Sequence, residues 1–252
     1  MGRVTAIANQ KGGVGKTTTA VNLAACLAAG GRSVLLADFD PQGNATQGLG
    51  VNKNTLAHSI YDALVNGVAM EKVVVPTEVD MLRLAPSNRD LVGAEVELVD
   101  VERREFVLRE RLASVRNEYD QIIIDCPPSL SLLTLNALVA ADDVIIPLQC
   151  EYYALEGLSE LLQTVILVRD KLNPSLRVLG VLLTMNQHTN LSRQVMEDVR
   201  GYLGGKVFDT VIPRNVTLSE APSFGKPVIL YDLKSPGAQA YIALAREVIS
   251  RG

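Results

Sequence analysis

Tryptophan is absent from this 252-residue chain, and aromatic residues make up only 4% of it. That is too few for the stacking platforms on which single-stranded nucleic acids lie. Cysteine is scarce too: Cys26, Cys126 and Cys150 stand far apart, odd in number and without a C-x-x-C pair. With only two isolated histidines, His58 and His188, a structural zinc site has no ligand set. The three cysteines are expected as small core residues in a reducing compartment. No apolar run approaches the ~20 residues that span a bilayer. The start at Met1 lacks the basic segment, apolar stretch and cleavage site of a signal peptide. A cytoplasmic protein with no membrane attachment is therefore expected. Net charge is also small, at -4, so DNA or anionic lipid would have to meet a local basic patch.

Hydrophobic residues at 48% and charged residues at 21% describe an ordinary globular chain. Its length lies at the upper end of what one core supports, which predicts a single domain over residues 1–252. Short β-branched runs at 4–8, 33–37, 81–85, 121–125, 143–147, 178–185 and 206–212 read as strands. Several are apolar at nearly every position, as strands covered on both faces must be. Helical patterns fall at 17–29, 56–65, 92–117, 129–140, 155–172, 191–203 and 237–250. The alternation predicts an α/β fold, a doubly wound and mostly parallel sheet with helices on both faces. Residues 44–55, rich in Gly, Asn and Thr, are expected to form a long mobile loop, and Pro127-Pro128, Pro213 and Pro222 mark turns.

Between the first strand and helix lies Lys11-Gly12-Gly13-Val14-Gly15-Lys16-Thr17-Thr18. A Gly-rich turn at this place lets successive N–H groups converge on phosphate oxygens, aided by the helix dipole. In that reading Lys16 reaches the β- and γ-phosphates of ATP or GTP, and the Thr17 hydroxyl ligates Mg2+. The general pattern G-x-x-x-x-G-K-[ST] is broken at its first glycine, which is Gln10 here, and Lys11 follows. At the carboxyl ends of neighbouring strands stand Asp38-Phe39-Asp40-Pro41-Gln42-Gly43-Asn44 and Ile122-Ile123-Ile124-Asp125. In an open α/β sheet those ends form the ligand crevice, so Asp38, Asp40 and Asp125 are candidates to bind magnesium or to orient water.

The loop Lys-Gly-Gly-x-Gly-Lys-Thr-Thr resembles the deviant Walker A motif of the ParA/MinD group of P-loop ATPases. Residues 38–50, 125–133, 147–157 and 212–227 resemble its ParA/Soj chromosome-partitioning branch, so the likeness covers nearly the whole chain. The resemblance implies that Lys11 crosses a dimer interface to the partner's ATP, and that the active species is an ATP-sandwich homodimer. It places the catalytic carboxylate on Asp40, Asp38 near the outer shell of magnesium, and Asp125 in a Walker B-like element. It sets Pro213 and Asn215 beside the adenine. With no arginine finger in view, slow intrinsic hydrolysis raised by a ParB-type partner is expected.

Relatives of this kind bind double-stranded DNA without sequence preference, which needs Lys and Arg on one dimer face. Candidates are Arg193, Arg200, Lys206, Lys226, Lys234 and Arg246, and a nucleoid-associated location would follow. The chain departs from its relatives at two places: His188 and Thr217 stand where arginines are usual. Three other readings compete. A MinD-like membrane-associated positioning ATPase would end in a basic amphipathic helix, whereas residues 243–252 read as a packed helix of mixed charge. A nitrogenase-iron-protein-like reductase would need cluster cysteines at an interface. A non-enzymatic module would use ATP only as structural glue.

Overall fold

The computed structural model describes residues 1–151, 154–187 and 189–252. Tyr152, Tyr153 and His188, which entered the sequence comparison, lie outside the described residues. In chain order the strands are β1 (Arg3–Ile7), β2 (Val34–Asp38), β3 (Val75–Pro76), β4 (Leu82–Ala85), β5 (Gln121–Asp125), β6 (Asp143–Gln149), β7 (Arg177–Asn186) and β8 (Val207–Pro213). The helices are α1 (Lys16–Ala29), α2 (Asn44–Gly48), α3 (Ile60–Leu64), α4 (Met70–Val73), α5 (Leu91–Glu97), α6 (Val107–Ala113), α7 (Leu132–Ala140), α8 (Ala154–Lys171), α9 (Asn190–Leu203), α10 (Val216–Glu220), α11 (Val228–Tyr231) and α12 (Pro236–Arg251). The eight strands form one sheet in the order β3-β4-β2-β5-β1-β6-β7-β8. Every pairing is parallel except that of β3 with β4. This is the doubly wound α/β architecture expected.

Two apolar cores lie on the two faces of the sheet. Strand β5 shows how alternation feeds both: Ile122 and Ile124 join one cluster, and Ile123 the other. Helix α1 is buried over most of its length and is shared between the sheet and α12, with the Thr19 hydroxyl 3.2 Å from that of Tyr241. Small residues such as Ala20, Ala24 and Ala25 permit that close approach. The three cysteines are buried and free, as expected. Burial pushes the Cys26 and Cys150 thiols up, to about 12 and about 11, and Cys126 higher still. These are thiols of a core, not thiolates poised for iron.

The structure corrects the sequence reading in three places. Residues 44–55 are no long mobile loop: α2 occupies 44–48, and Ala45, Thr46 and Gly48 are buried. Side chains of this stretch are claimed by neighbours, which composition does not reveal. The helix expected over 92–117 is broken into α5, a 3-10 turn at Arg104–Phe106, α6 and a second 3-10 turn. Asn136 of α7 clamps that break: its Nδ2 donates to the Arg104 carbonyl, and its Oδ1 accepts from Leu108 N at 3.1 Å. The helix expected over 56–65 starts only at Ile60, because Ser59 and Asp62 form a capping box there. Strand β3, two residues at the antiparallel edge, is too short to show any periodicity.

Candidate functional site

Parallel register brings three strand ends together. Ile7 of β1 pairs with Asp125 of β5, and Asp125 pairs in turn with Asp38 of β2. The chain leaves β1, loops over these ends and enters α1 through Gly15, which has φ 92. Gly13 is likewise left-handed, with φ 75. Both positions therefore favour glycine, and no atom lies within 4 Å of where a Cβ on Gly12 or Gly13 would stand. The result is an open backbone cradle at a helix N-terminus, a ready anion site.

Buried polar groups fix the cradle. Asn9 donates from Nδ2 to the Pro147 carbonyl at 2.7 Å and accepts from Lys11 N at 2.9 Å, which ties the loop to β6. The Thr184 hydroxyl of β7 donates to the Val14 carbonyl at 2.9 Å. Lys16 is buried and folds back so that Nζ donates to the Lys11 carbonyl at 2.9 Å. Burial lowers its pKa, opposed by the charges of Asp125 and Asp40. An anion in the cradle would add to that opposition and favour the ammonium. The Lys11 side chain points elsewhere, its ammonium 3.0 Å from Glu151 Oε2.

The carboxylates differ sharply in how they are satisfied. Asp38 is fully engaged: Oδ2 accepts from both the amide and the hydroxyl of Thr46, each at 2.7 Å, and Oδ1 accepts from Asp40 N. Asp38 thus holds α2 in place. Asp40 is buried at 6% exposure and uses Oδ1 to accept from Gln42 N at 2.9 Å, which shapes the turn. Asp125 is wholly buried, yet neither of its oxygens has a hydrogen-bond partner. Burial raises its pKa well above the ordinary range, and the Asp38 charge adds to this; Thr17 and Lys16 favour the charged form without prevailing. A buried, unpaired carboxylate beside a hydroxyl and an ammonium suits a hard divalent cation. Among the described residues, no three His, Cys, Asp or Glu side chains converge on one ion site. A cation at Asp125 would draw its other ligands from Thr17, water or substrate oxygens.

A cavity of about 560 Å3 runs from Gly15 and Thr18 to Thr184, Met185, Pro213 and Asn215. Asn215 Oδ1 is buried there without a partner, an acceptor free for a donor such as an exocyclic amine. A second cavity, about 290 Å3, adjoins it at Thr18 and Pro222 and is lined by Thr17, Asn44, Gln47 and Lys226. The structure therefore brings the loop residues 11–18, Asp38, Asp40, Asp125, Pro213 and Asn215 to one end of the sheet. Lys226 also lies beside the cleft, paired with Glu78 at 3.2 Å. The other basic candidates are surface residues away from it. Arg193 and Arg200 are exposed on α9, Lys206 is exposed in the turn that follows, and Lys234 and Arg246 are exposed around α12. Sequence reasoning missed Asn9, Thr46 and Thr184, single polar residues outside any spacing pattern; only Asn9, two residues before Lys11, had position as a clue.

The family model for an AAA domain matches residues 2–178. A chromosome partitioning protein ParA from Myxococcus xanthus is 58% identical over 252 residues, covering 100% of this chain and 89% of that protein. The sporulation initiation inhibitor protein Soj of Bacillus subtilis is 57% identical over 253 residues, covering 100% of both chains. Among solved structures, a cobyrinic acid a,c-diamide synthase from Mycobacterium smegmatis with bound ADP and magnesium superposes with a TM-score of 0.87. It is 42% identical, and the match covers 98% of this chain and 93% of that one.

Proposed function

This chain belongs to the ParA/Soj family of chromosome-partitioning ATPases, and from that premise we propose an ATP-driven dimerisation switch that holds and releases DNA. ATP and Mg2+ are its cofactors, in keeping with the ADP and magnesium bound by a structural relative. The observation that carries the site is Asp125, buried with both oxygens unpartnered between Thr17 and Lys16. Asp125 and Thr17 would hold the magnesium ion, which would supply positive charge against the phosphates. Lys16 and the amides of residues 12–18 neutralise the phosphates, Asp40 orients the attacking water, and Asp38 keeps Asp40 in position. Pro213 and Asn215 line the base cavity, whose free acceptor suits the amino group of adenine.

The whole of residues 1–252 acts as one ATPase domain. Lys11 has its side chain 44% exposed and its ammonium on Glu151, outside its own cradle, which supports a role on the nucleotide of a second copy. The ATP-bound form is then a homodimer, and a ParB-type partner raises its slow hydrolysis. Dimerisation places two copies of each basic patch on one assembly. Arg193 and Arg200 lie seven residues apart on one side of α9, with Lys206 close behind. These three form the leading contact group for duplex DNA; Lys226, already paired with Glu78, contributes least. Helix α12 buries Tyr241, Leu244, Ala245 and Val248, so the reading of a membrane-binding tail is not favoured. No helix is long and apolar enough to cross a membrane among the described residues.

Phosphate release and retention on random duplex DNA test the switch together. Retention with ATP falls as salt rises, with a log–log slope of about 0.9 per phosphate contact. Release stays slow until a ParB-type protein is added. Retention that is indifferent to salt, or to ATP, would refute the DNA arm of the proposal.

A further inference from the structure

The two residues that set this loop apart from the general phosphate-loop pattern, Gln10 and Lys11, are held by one stretch of the same chain. The Lys11 ammonium lies 3.0 Å from Glu151 Oε2, just past the end of β6. Gln10 Nε2 donates to Glu160 Oε2 at 2.5 Å and to the Gly157 carbonyl at 3.3 Å, both on α8. Glu151 is itself aimed: its Oε1 accepts from Gln149 Nε2 at 2.5 Å, and its amide donates to the Gln149 carbonyl at 2.8 Å. Meanwhile the Lys11 carbonyl takes the Lys16 ammonium. The loop therefore rests with one lysine turned in and the other turned out, each on a partner from its own chain.

Resting on the reading that Lys11 serves the nucleotide of a second subunit, we propose that Glu151 is the positioning residue for Lys11. It holds the ammonium in cis while the protomer is free and surrenders it when the ATP dimer forms. One ammonium cannot serve a carboxylate of its own chain and the partner's phosphates together, so the two states compete. The phosphates of ATP carry more charge and are met in a drier interface, so they prevail once a partner presents them. With side chains 44% and 51% exposed, the hold is modest, worth a factor of about 1.4 to 5 per subunit for a pair of this kind. A hold of that size biases the free protomer against pairing without blocking it. The latch acts on assembly and leaves the chemical step alone.

Glu151→Gln keeps the shape and removes the charge. In nucleotide-free protein, acetylation of Lys11 read by peptide mass spectrometry is expected to rise about 1.4- to 5-fold against exposed Lys72 in the same digest. Glu151→Asp, which keeps the charge, restores most of the protection. With ATP, the half-saturating concentration for dimerisation and for hydrolysis falls by a similar factor while the maximal rate holds, the pattern of a ground-state effect. In a Lys11→Ala background, Glu151→Gln leaves ATP affinity where it was. Unchanged labelling of Lys11 would overturn the proposal, and so would a higher half-saturating ATP concentration. Wild-type protein that stays monomeric at saturating ATP would overturn the dimer reading and, with it, the role of the latch; labelling reports the Lys11–Glu151 contact separately.

Discussion

Asp38 and Asp125 are register partners at the carboxyl ends of adjacent parallel strands, and their carboxylates meet opposite circumstances. Asp38 accepts two hydrogen bonds from Thr46 and one from Asp40, while Asp125 has no well-formed hydrogen bond and only the Thr17 hydroxyl beside it. Burial raises the pKa of both, the Asp38 charge adds to the rise at Asp125, and the Asp40 charge adds to that at Asp38. The nucleotide-free protein therefore carries a local cost in its site, which a divalent cation relieves.

That cost sets a pH dependence. Burial lifts Asp38 from an ordinary 3.8 to about 6 despite its hydrogen bonds, and lifts Asp125 well above the ordinary range. For a raised carboxylate the folded state holds more protons than the unfolded one, so stability falls as pH rises from the unfolded value through the folded one. Asp125→Asn removes the second charge of the pair. Its unfolding free energy without nucleotide should exceed that of wild type at pH 7 by on the order of 2 kcal/mol, and the gap should close towards pH 4. Denaturant titration at both pH values measures it. A gap independent of pH would mean that Asp125 titrates in the folded protein as it does in the unfolded one.

Thr46→Val should loosen the turn that Asp38 holds. The change removes a buried hydroxyl donor to Asp38 and an acceptor for Ser87 N. A loss of about 1–3 kcal/mol in unfolding free energy is expected, with hydrolysis reduced because Asp40 follows on the same turn. Thr46→Ser, which keeps the hydroxyl, should recover most of both.

Far from the site, Glu247 of α12 accepts from the backbone amides of Asp209 and Thr210, at 2.8 and 3.0 Å, and pairs with Arg251. Burial opposes its charge, but those donors outweigh burial and hold its pKa below the ordinary value. The stability it contributes is present above the ordinary glutamate range and is lost as pH falls through the lowered value. Glu247→Gln should cost about 1–2 kcal/mol at pH 7 and much less in acid. ATP hydrolysis per folded molecule should not change.

Much of this was legible in the sequence, for physical reasons that differ by element. Strand β5 matches its expected residues 121–125 because three consecutive isoleucines before a charge leave one way to bury a strand. The loop at 11–18 is legible because glycines with positive φ cannot be replaced freely. Residues 44–55 misled because polar, Gly-rich composition describes exposed loops, whereas here Asp38 draws Thr46 inward. Such long-range partners leave no local periodicity. The same holds for Thr184, placed under Val14 by a strand 170 residues away, and for Glu151, whose tie to Lys11 joins positions 140 residues apart.

In the proposed switch Lys16 serves its own nucleotide and Lys11 that of a second copy. Light scattering with ATP and Mg2+, run with phosphate release on the same samples, tests it most directly. Asp40→Ala should double in mass on adding ATP and stay dimeric, because hydrolysis no longer ends the state. Lys16→Ala should neither bind ATP nor dimerise, and Lys11→Ala should bind ATP yet keep the mass of a monomer. A Lys11→Ala protein that dimerises and hydrolyses ATP as wild type does would contradict the account.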